Sequence, residues 1–307
     1  TRNRRHLLVD VIVISVCGVI VGCEGPTAIV RWAKAKEDWL GQVLELPNGI
    51  PSKDCVRRVL SLLKPAAFQE CFQRWISECL LGDTDGSHRT IAIDGKAMRR
   101  SHNHAAGLGA LHMVSAFASE HGIALGQIAT EEKSNEITAI PQALELVDLK
   151  GAIVTIDAMG TQTAIAEQIV EAEGDYILAL KGNQGTLHED ISYFFSETSD
   201  TELSQPPFHY YKTIEKDHGR VEKREYWVTD DIGWLSMKKD WDNLQSICMM
   251  KSRRTIKGNT STNTWFFISS LPAHGKTIGD AIRSHWGIEN SLHWCLDMAF
   301  REDECRK

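Results

Sequence analysis

Two stretches, Ile91-Ala92-Ile93-Asp94-Gly95-Lys96 and Val154-Thr155-Ile156-Asp157-Ala158-Met159, decide how the whole chain is read. Each is a short β-branched run followed at once by an aspartate, the pattern of a dry strand whose last side chain emerges at the end of a sheet. If the two strands are neighbours, Asp94 and Asp157 converge on one spot. Close carboxylates repel unless protonated or bridged by a cation, so the pair calls for a hard divalent metal. Oxygen ligands without an organised Cys/His set favour Mg²⁺, with Mn²⁺ as a substitute, over zinc. A strand-ending aspartate is by itself a common structural feature; the echo between the two stretches carries the argument.

Working outward, Leu111–Ala118 and Gly122–Thr130 read as two further strands joined by a turn at Glu120-His121-Gly122. Ile140–Val147 fits a short helix with Pro141 in its first turn, and Gln162–Ala172 fits a longer amphipathic one. Tyr176–Leu180 is another apolar run, closed by Lys181-Gly182-Asn183. Strands interleaved with helices over 87–187 predict a mixed α/β sheet covered by helices. Residues 188–272 break the alternation with basic alternating segments (Lys212–Lys216, Val221–Val228, Ser246–Arg254, Thr264–Ser269) and read as a β-rich insertion. From about Thr277 to Met298 a helical pattern returns, so 273–307 is expected to complete the core. Residues 1–86 read as a helical domain with a possible DNA contact. Ser52 caps a helix to about Leu63 there, and Lys53, Arg57 and Arg58 lie on that helix's polar side. The polar stretch Leu81–Gly86 marks the boundary.

Within Arg283-Ser284-His285-Trp286-Gly287-Ile288-Glu289-Asn290-Ser291-Leu292-His293-Trp294, helical spacing puts His285, Glu289 and His293 on one face. Three ionisable groups in line among bulky apolar residues make a poor core stripe. Zinc held by the two histidines with Glu289 is the rival reading, but the H-E-x-x-H pattern is missing. Nucleotide binding is weak as well, because Asp94-Gly95-Lys96 lacks the upstream glycine loop of a P-loop.

Composition narrows the class. The 307 residues carry a formal charge of −7, but residues 1–105 hold 15 Lys/Arg to 11 Asp/Glu, 106–205 hold 3 to 16, and 206–273 hold 11 to 8. Two basic modules thus flank an acidic one, which is compatible with polyanion contact. Lys96, Arg99 and Arg100 follow the first aspartate and could hold phosphates. Lys181 and Asn183 end a strand near it, and Arg220, Lys223, Arg224, Arg253 and Arg254 belong to the basic insertion. Each also reads as an ordinary solvated charge. The eight cysteines show no C-x-x-C, so buried free thiols in a reducing, cytoplasmic compartment are expected. The apolar run Val11–Cys23 follows Arg2, Arg4 and Arg5 and resembles a signal segment. Asp10 interrupts its start and its length is short of a bilayer, which favours a buried helix and no membrane.

Ile91–Ser101, Glu132-Lys133-Ser134-Asn135-Glu136, Val154–Gln162, Tyr176–Gln184, His218-Gly219-Arg220 and Arg283–Asp303 together closely resemble the H-repeat-associated transposases, bacterial insertion-sequence enzymes of the DDE class. The resemblance covers nearly the whole chain, including Pro47-Asn48-Gly49-Ile50-Pro51-Ser52. It implies a ribonuclease-H-like catalytic domain in which Asp94, Asp157 and Glu289 are the three metal-holding acids. It also implies Mg²⁺-dependent cleavage and 3′-hydroxyl strand transfer on double-stranded DNA, element ends and target, by a homodimer. Related enzymes often carry a Tyr, Arg and Lys around the glutamate. Here those places hold Ile282, His285 and Leu296, so His285 stands where a phosphate contact is expected. The family runs on past the position of Lys307, so the chain is expected to be short at its C-terminus. A nuclease that cuts without joining, or a repurposed DNA-binding relative without catalysis, remain as alternatives.

Overall fold

The computed structural model describes residues 5–80, 89–101, 110–130, 136–217 and 219–304. The boundary expected at 81–86, the motif residues 132–135, His218 and Cys305 lie outside them. The chain divides into two compact units, Thr1–Leu81 with Asp297–Arg301, and Gly82–Leu296 with Glu302–Lys307.

The first unit is helical: α1 (Leu8–Ile20), α2 (Gly25–Ala35), α3 (Glu37–Leu40), α4 (Lys53–Leu62) and α5 (Pro65–Leu80). Its core joins Val11, Val30 and Val56 in one cluster and Ile14, Ile29, Ala33 and Leu40 in another. Gly18 lets α2 approach α1, since a Cβ there would stand 2.9 Å from Ile29 Cγ1. The aspartate that interrupts the apolar run has a structural use: Asp10 is buried, and its Oδ2 accepts the Leu46 N–H at 3.1 Å. Ser52 caps α4 as expected, its hydroxyl accepting from Cys55 N. No single helix among the described residues is long and apolar enough to cross a membrane.

The second unit is built on a nine-stranded mixed sheet in the order β3-β2-β1-β4-β5-β9-β8-β7-β6. The strands are β1 (Thr90–Met98), β2 (Leu111–Ala118), β3 (Ile123–Ala129), β4 (Ile153–Ile156), β5 (Asp175–Leu180), β6 (His209–Asp217), β7 (Arg220–Thr229), β8 (Ser246–Ile256) and β9 (Asn259–Ser269). The antiparallel trio β1-β2-β3 beside the parallel β1, β4 and β5 is the strand arrangement of a ribonuclease-H-like core. Helices α6 (Glu136–Glu145), α7 (Thr163–Glu171) and α8 (Gly185–Glu197) lie against one face, and α9 (Gly275–Gly287) lies against the other. A π-helical turn, Ile288–His293, and the short α10 (Trp294–Met298) follow α9.

Three local expectations change. The strand β1 does not stop at Ile93 but continues through Asp94 to Met98, because pairing with β2 is unbroken across it. Helix α6 starts at Glu136, so Pro141 sits in its interior rather than its first turn. The helix carrying Glu289 is also not regular: a π turn spans Ile288–His293, yet His285 and Glu289 line one cleft with Asp94, and His293 Nδ1 lies 3.7 Å from Asp94 Oδ2.

The strands of the insertion are not a separate layer. β9 pairs with β5 over Phe266–Ser269, so β6 to β9 extend the sheet of β1 to β5. Only four residues of β9 face β5, and the seven from Asn259 to Trp265 run on past its end by about 20 Å at ordinary strand rise. The four strands thus form a wing beyond the end of the sheet where Asp157 sits. Helix α9 packs on its near face. Gly279 makes that possible, since a Cβ there would meet Tyr211 Cδ1 at 2.6 Å and Tyr226 Cδ2 at 3.1 Å.

Candidate active site

The register explains how two distant aspartates become neighbours. Parallel β1 and β4 pair Ile93 with Ile156, so Asp94 and Asp157 are the next residues on adjacent strands. Strands stand about 4.8 Å apart, and equivalent positions share a face, so both carboxylates leave the sheet side by side. Asp157 is held by its own backbone: its Oδ1 accepts the N–H groups of Met159 at 3.0 Å and Gly160 at 3.3 Å, capping a 3₁₀ turn. Asp94 Oδ1 accepts the Gly95 N–H at 2.9 Å, and its Oδ2 lies 3.7 Å from His293 Nδ1.

Helix α9 crosses the same face and delivers the third acid. Asp94, Asp157 and Glu289 line one cleft together with Thr155, Lys181, Trp265, Phe267, His285 and Trp286. Glu289 is exposed and sits on the π turn, one residue past its start. Among the bonds that fix α9 to the sheet, two sets lie nearest Glu289. Thr155 Oγ1 and His285 Nδ1 form a hydrogen bond at 2.9 Å. Six residues before Glu289, Arg283 holds Glu215 of β6 with Nε at 2.7 Å and Nη2 at 3.0 Å. Arg224 extends this pair, reaching Glu215 at 3.0 Å and Glu222 at 2.7 Å while its guanidinium lies 5.6 Å from the centre of the Trp286 ring. The arginines hold the Glu215 carboxyl down at about 2, Arg283 most strongly, against the opposing effect of burial.

The other residues expected to touch DNA divide by environment. Lys96 is only 8% exposed, with Nζ 3.3 Å from Glu302 and 3.5 Å from Asp303, so here it is an internal ion pair. Arg99 is exposed and pairs with Asp303 at 3.5 Å, and Arg100 is exposed in the turn after β1. Lys181 is an exposed cation lining the cleft. Asn183 works on the scaffold instead: its amide donates to Ala158 O at 2.7 Å, and Gln184 donates to Thr161 O at 2.8 Å. With Thr161 donating to Ala179 O at 2.6 Å, these bonds clamp the turn that carries Asp157. His285 is not a cation: burial drives its imidazole down to about 4, although the neighbouring Asp157 pulls the other way.

Arg220, Arg253 and Arg254 all lie on the wing, but not on one side of it. Arg254 and Arg220 share the face of Arg224 and the cleft, where Arg220 leans on Glu222 at 3.8 Å. Arg253 points to the opposite face, because side chains alternate along β8. The sequence reading missed Thr155, Glu215 and the paired tryptophans Trp265 and Trp286, which meet edge to face at 6.1 Å. No pattern in the chain announces them, since each gains its role from a partner across the sheet.

The donor set is that of a hard cation: three carboxylates, all oxygen, on one cleft wall. The described residues do not gather three His, Cys, Asp or Glu side chains at coordination spacing. The two aspartates follow paired residues on adjacent strands and Glu289 stands on an exposed turn lining the same cleft, so the set fits a divalent ion in chemistry. Cys17, Cys23, Cys55, Cys71, Cys248 and Cys295 are free thiols, and of these Cys248 is buried and Cys71 exposed.

Residues 85–307 match the family model described as "Transposase DDE domain", and residues 1–76 match the one described as "DDE_Tnp_1-associated". The chain is 40% identical over 306 residues to the H repeat-associated putative transposase YhhI of Escherichia coli K12, covering 98% of this chain and 79% of that protein. It is 43% identical over 273 residues to an uncharacterized protein in the dhlA 3′ region of Xanthobacter autotrophicus, covering 89% and 90% of the two. Among solved structures, the piggyBac transposase synaptic complex with hairpin DNA matches at a TM-score of 0.40 and 8% identity, over 94% of this chain and 58% of that one.

Proposed function

Because the chain belongs to the DDE transposase family, we propose that it cuts DNA and joins the freed 3′-hydroxyl to a target, with Asp94, Asp157 and Glu289 as its catalytic acids. One observation carries the reading: three carboxylates from β1, from the turn after β4 and from the turn after α9 line a single cleft.

Asp94, Asp157 and Glu289 would hold divalent ions, Mg²⁺ with Mn²⁺ as a substitute. Bound there, such ions would supply Lewis-acid stabilisation of charge on the attacking and leaving oxygens of an in-line displacement. The chain's own residues do the rest. The clamp of Asn183, Gln184 and Thr161 keeps Asp157 in place, and the Thr155–His285 bond sets the distance from β4 to α9. Lys181 presents positive charge to a phosphodiester entering the cleft. Trp265 and Trp286 give the cleft an apolar wall, which strengthens electrostatic contacts beside it. His285, neutral at ordinary pH, keeps its bond to Thr155 and adds no cation. In cleavage, water forms one P–O bond as the bond to the 3′-oxygen breaks, leaving a 3′-hydroxyl and a 5′-phosphate. In joining, that 3′-hydroxyl forms a new phosphodiester as one in the target breaks and releases its own 3′-hydroxyl, so joining requires no nucleotide hydrolysis. Double-stranded DNA is the partner, and a homodimer on DNA is the proposed assembly.

The test is Mg²⁺-dependent cleavage and joining of end-labelled DNA carrying the sequences that flank the gene. Cleaved ends and joined products are expected. Cleavage without joining would favour a nuclease, and DNA binding without either would favour a repurposed relative.

A further inference from the structure

The two faces of the wing differ in charge, and the difference runs against the position of the cleft. On the cleft face, Glu215 and Glu222 engage Arg220, Arg224 and, from α9, Arg283, with Arg254 across the strand from Glu222, and α9 covers the lower part. On the outer face, cross-strand pairing lines up Lys212 with Glu225, Lys223 with Arg253, and Glu225 with Lys251, and Lys216 lies one step further out beside Val221. Five cations thus share that face with one carboxylate, Glu225, among the described residues. Glu225 is already engaged by Lys223 at 2.8 Å and by the Tyr210 hydroxyl at 2.8 Å. Lys251 lies 5.3 Å from the centre of the Trp227 ring. Helix α8 covers only the foot of this face, where Phe195 and His188 meet Phe266. Above it Lys212, Lys216 and Arg253 are exposed, bordered on β9 by exposed Thr260, Thr262 and Thr264.

We infer that the outer face of the wing, through Lys212, Lys216, Lys223, Lys251 and Arg253, docks the phosphate backbone of duplex DNA beside the cleft rather than within it. Charge complementarity names the occupant. Five cations in excess of one carboxylate, bordered by threonine hydroxyls, are the donors that phosphate oxygens accept, and such contacts position a duplex without reading its sequence. Four strands give a surface about 15 Å across, broad enough for one side of a duplex. The inference rests on the transposase reading for its purpose, but not for its chemistry.

The experiment measures binding of the full chain to a fluorescent 40-base-pair duplex of arbitrary sequence across a salt series, without divalent metal. The variant Lys212→Gln/Lys216→Gln/Arg253→Gln is compared with Arg254→Gln, with the charge-preserving Lys212→Arg/Lys216→Arg/Arg253→Lys, and with the unaltered chain. The triple Gln variant should bind at least tenfold more weakly, with a salt slope shallower by about 0.9 for each lost contact. The charge-preserving variant should bind normally, and the melting temperatures of all should agree. Unchanged affinity and slope in the triple Gln variant would overturn the inference, as would a chain that binds anionic vesicles but not duplex. Metal-dependent cleavage by the unaltered chain is scored separately. Its absence beside a weakened triple variant would sink the transposase reading and leave the docking face standing.

Discussion

Thr155 Oγ1 and His285 Nδ1 lie 2.9 Å apart, and this bond ties the strand leading to Asp157 to the helix leading to Glu289. A strand and a helix separated by 130 residues thereby share one reference point, two residues before Asp157 and four before Glu289. Removing the hydroxyl with Thr155→Val should leave the His285 ring nitrogen buried without its partner. Such a loss costs about 1–3 kcal/mol, measured by denaturant unfolding, and Thr155→Ser should restore most of it. Cleavage should fall further than stability alone explains, because the two acids lose their spacing.

The same histidine sets a pH dependence. Burial holds His285 at about 4, whereas in the unfolded chain it titrates near 6.5. Between those values the unfolded chain binds a proton that the native fold refuses. The contribution of His285 is therefore complete above pH 6.5 and is lost as the pH falls towards 4. Thermal melts from pH 7 to 4 should show this decline in the unaltered chain and a shallower one in His285→Gln. Parallel curves would show that His285 is not held neutral.

Arg224 is 5% exposed and joins Glu215 to Glu222 beneath Trp286. Replacing it with Met leaves Glu215 to Arg283 and Glu222 to the longer Arg220 contact at 3.8 Å and the Ser252 hydroxyl. Breaking a buried pair from one side costs about 3–5 kcal/mol, so Arg224→Met should lower the unfolding midpoint sharply. The double variant Arg224→Met/Glu222→Gln should recover part of the loss, and its failure to do so would assign the damage to lost packing on Trp286.

The triad itself is tested by near-isosteric amides. Asp94→Asn, Asp157→Asn and Glu289→Gln should each abolish metal-dependent cleavage while duplex binding and melting temperature stay close to those of the unaltered chain. Asp157→Asn carries a second expectation, because its Oδ1 also caps the turn at Met159 and Gly160. A cap replaced by Asn keeps its acceptor, so the turn should persist. A variant that cleaves at a near-normal rate would remove its residue from the triad.

Much of this was legible in the chain because it is local. Short apolar runs mark the strands Leu111–Ala118 and Ile153–Ile156, the second of them β-branched, at their observed bounds, and Ser52 marks the start of α4. The extent of β1 was not legible, since Gly95 and Lys96 are poor strand residues that pairing with β2 overrides. Nor was the π turn at Glu289, which periodicity renders as ordinary helix. Lys96 shows the same limit at the site: a lysine beside an aspartate reads as a phosphate ligand until Glu302 and Asp303 close over it.

From its residues alone, this protein's chain declared two aspartates on matching strands, a glutamate on a late helix, and a basic β-rich stretch between them. Those are properties of neighbouring residues, and short-range preference is enough to write them. The folded sheet decided the rest: that Ile93 pairs with Ile156 and so sets the aspartates side by side, and that Thr155 anchors His285. It also decided that Arg253 and Arg254, adjacent in sequence, look out from opposite faces of the wing. Pairing register and the two-residue alternation of a strand are collective, and they exist only once distant segments have chosen their partners.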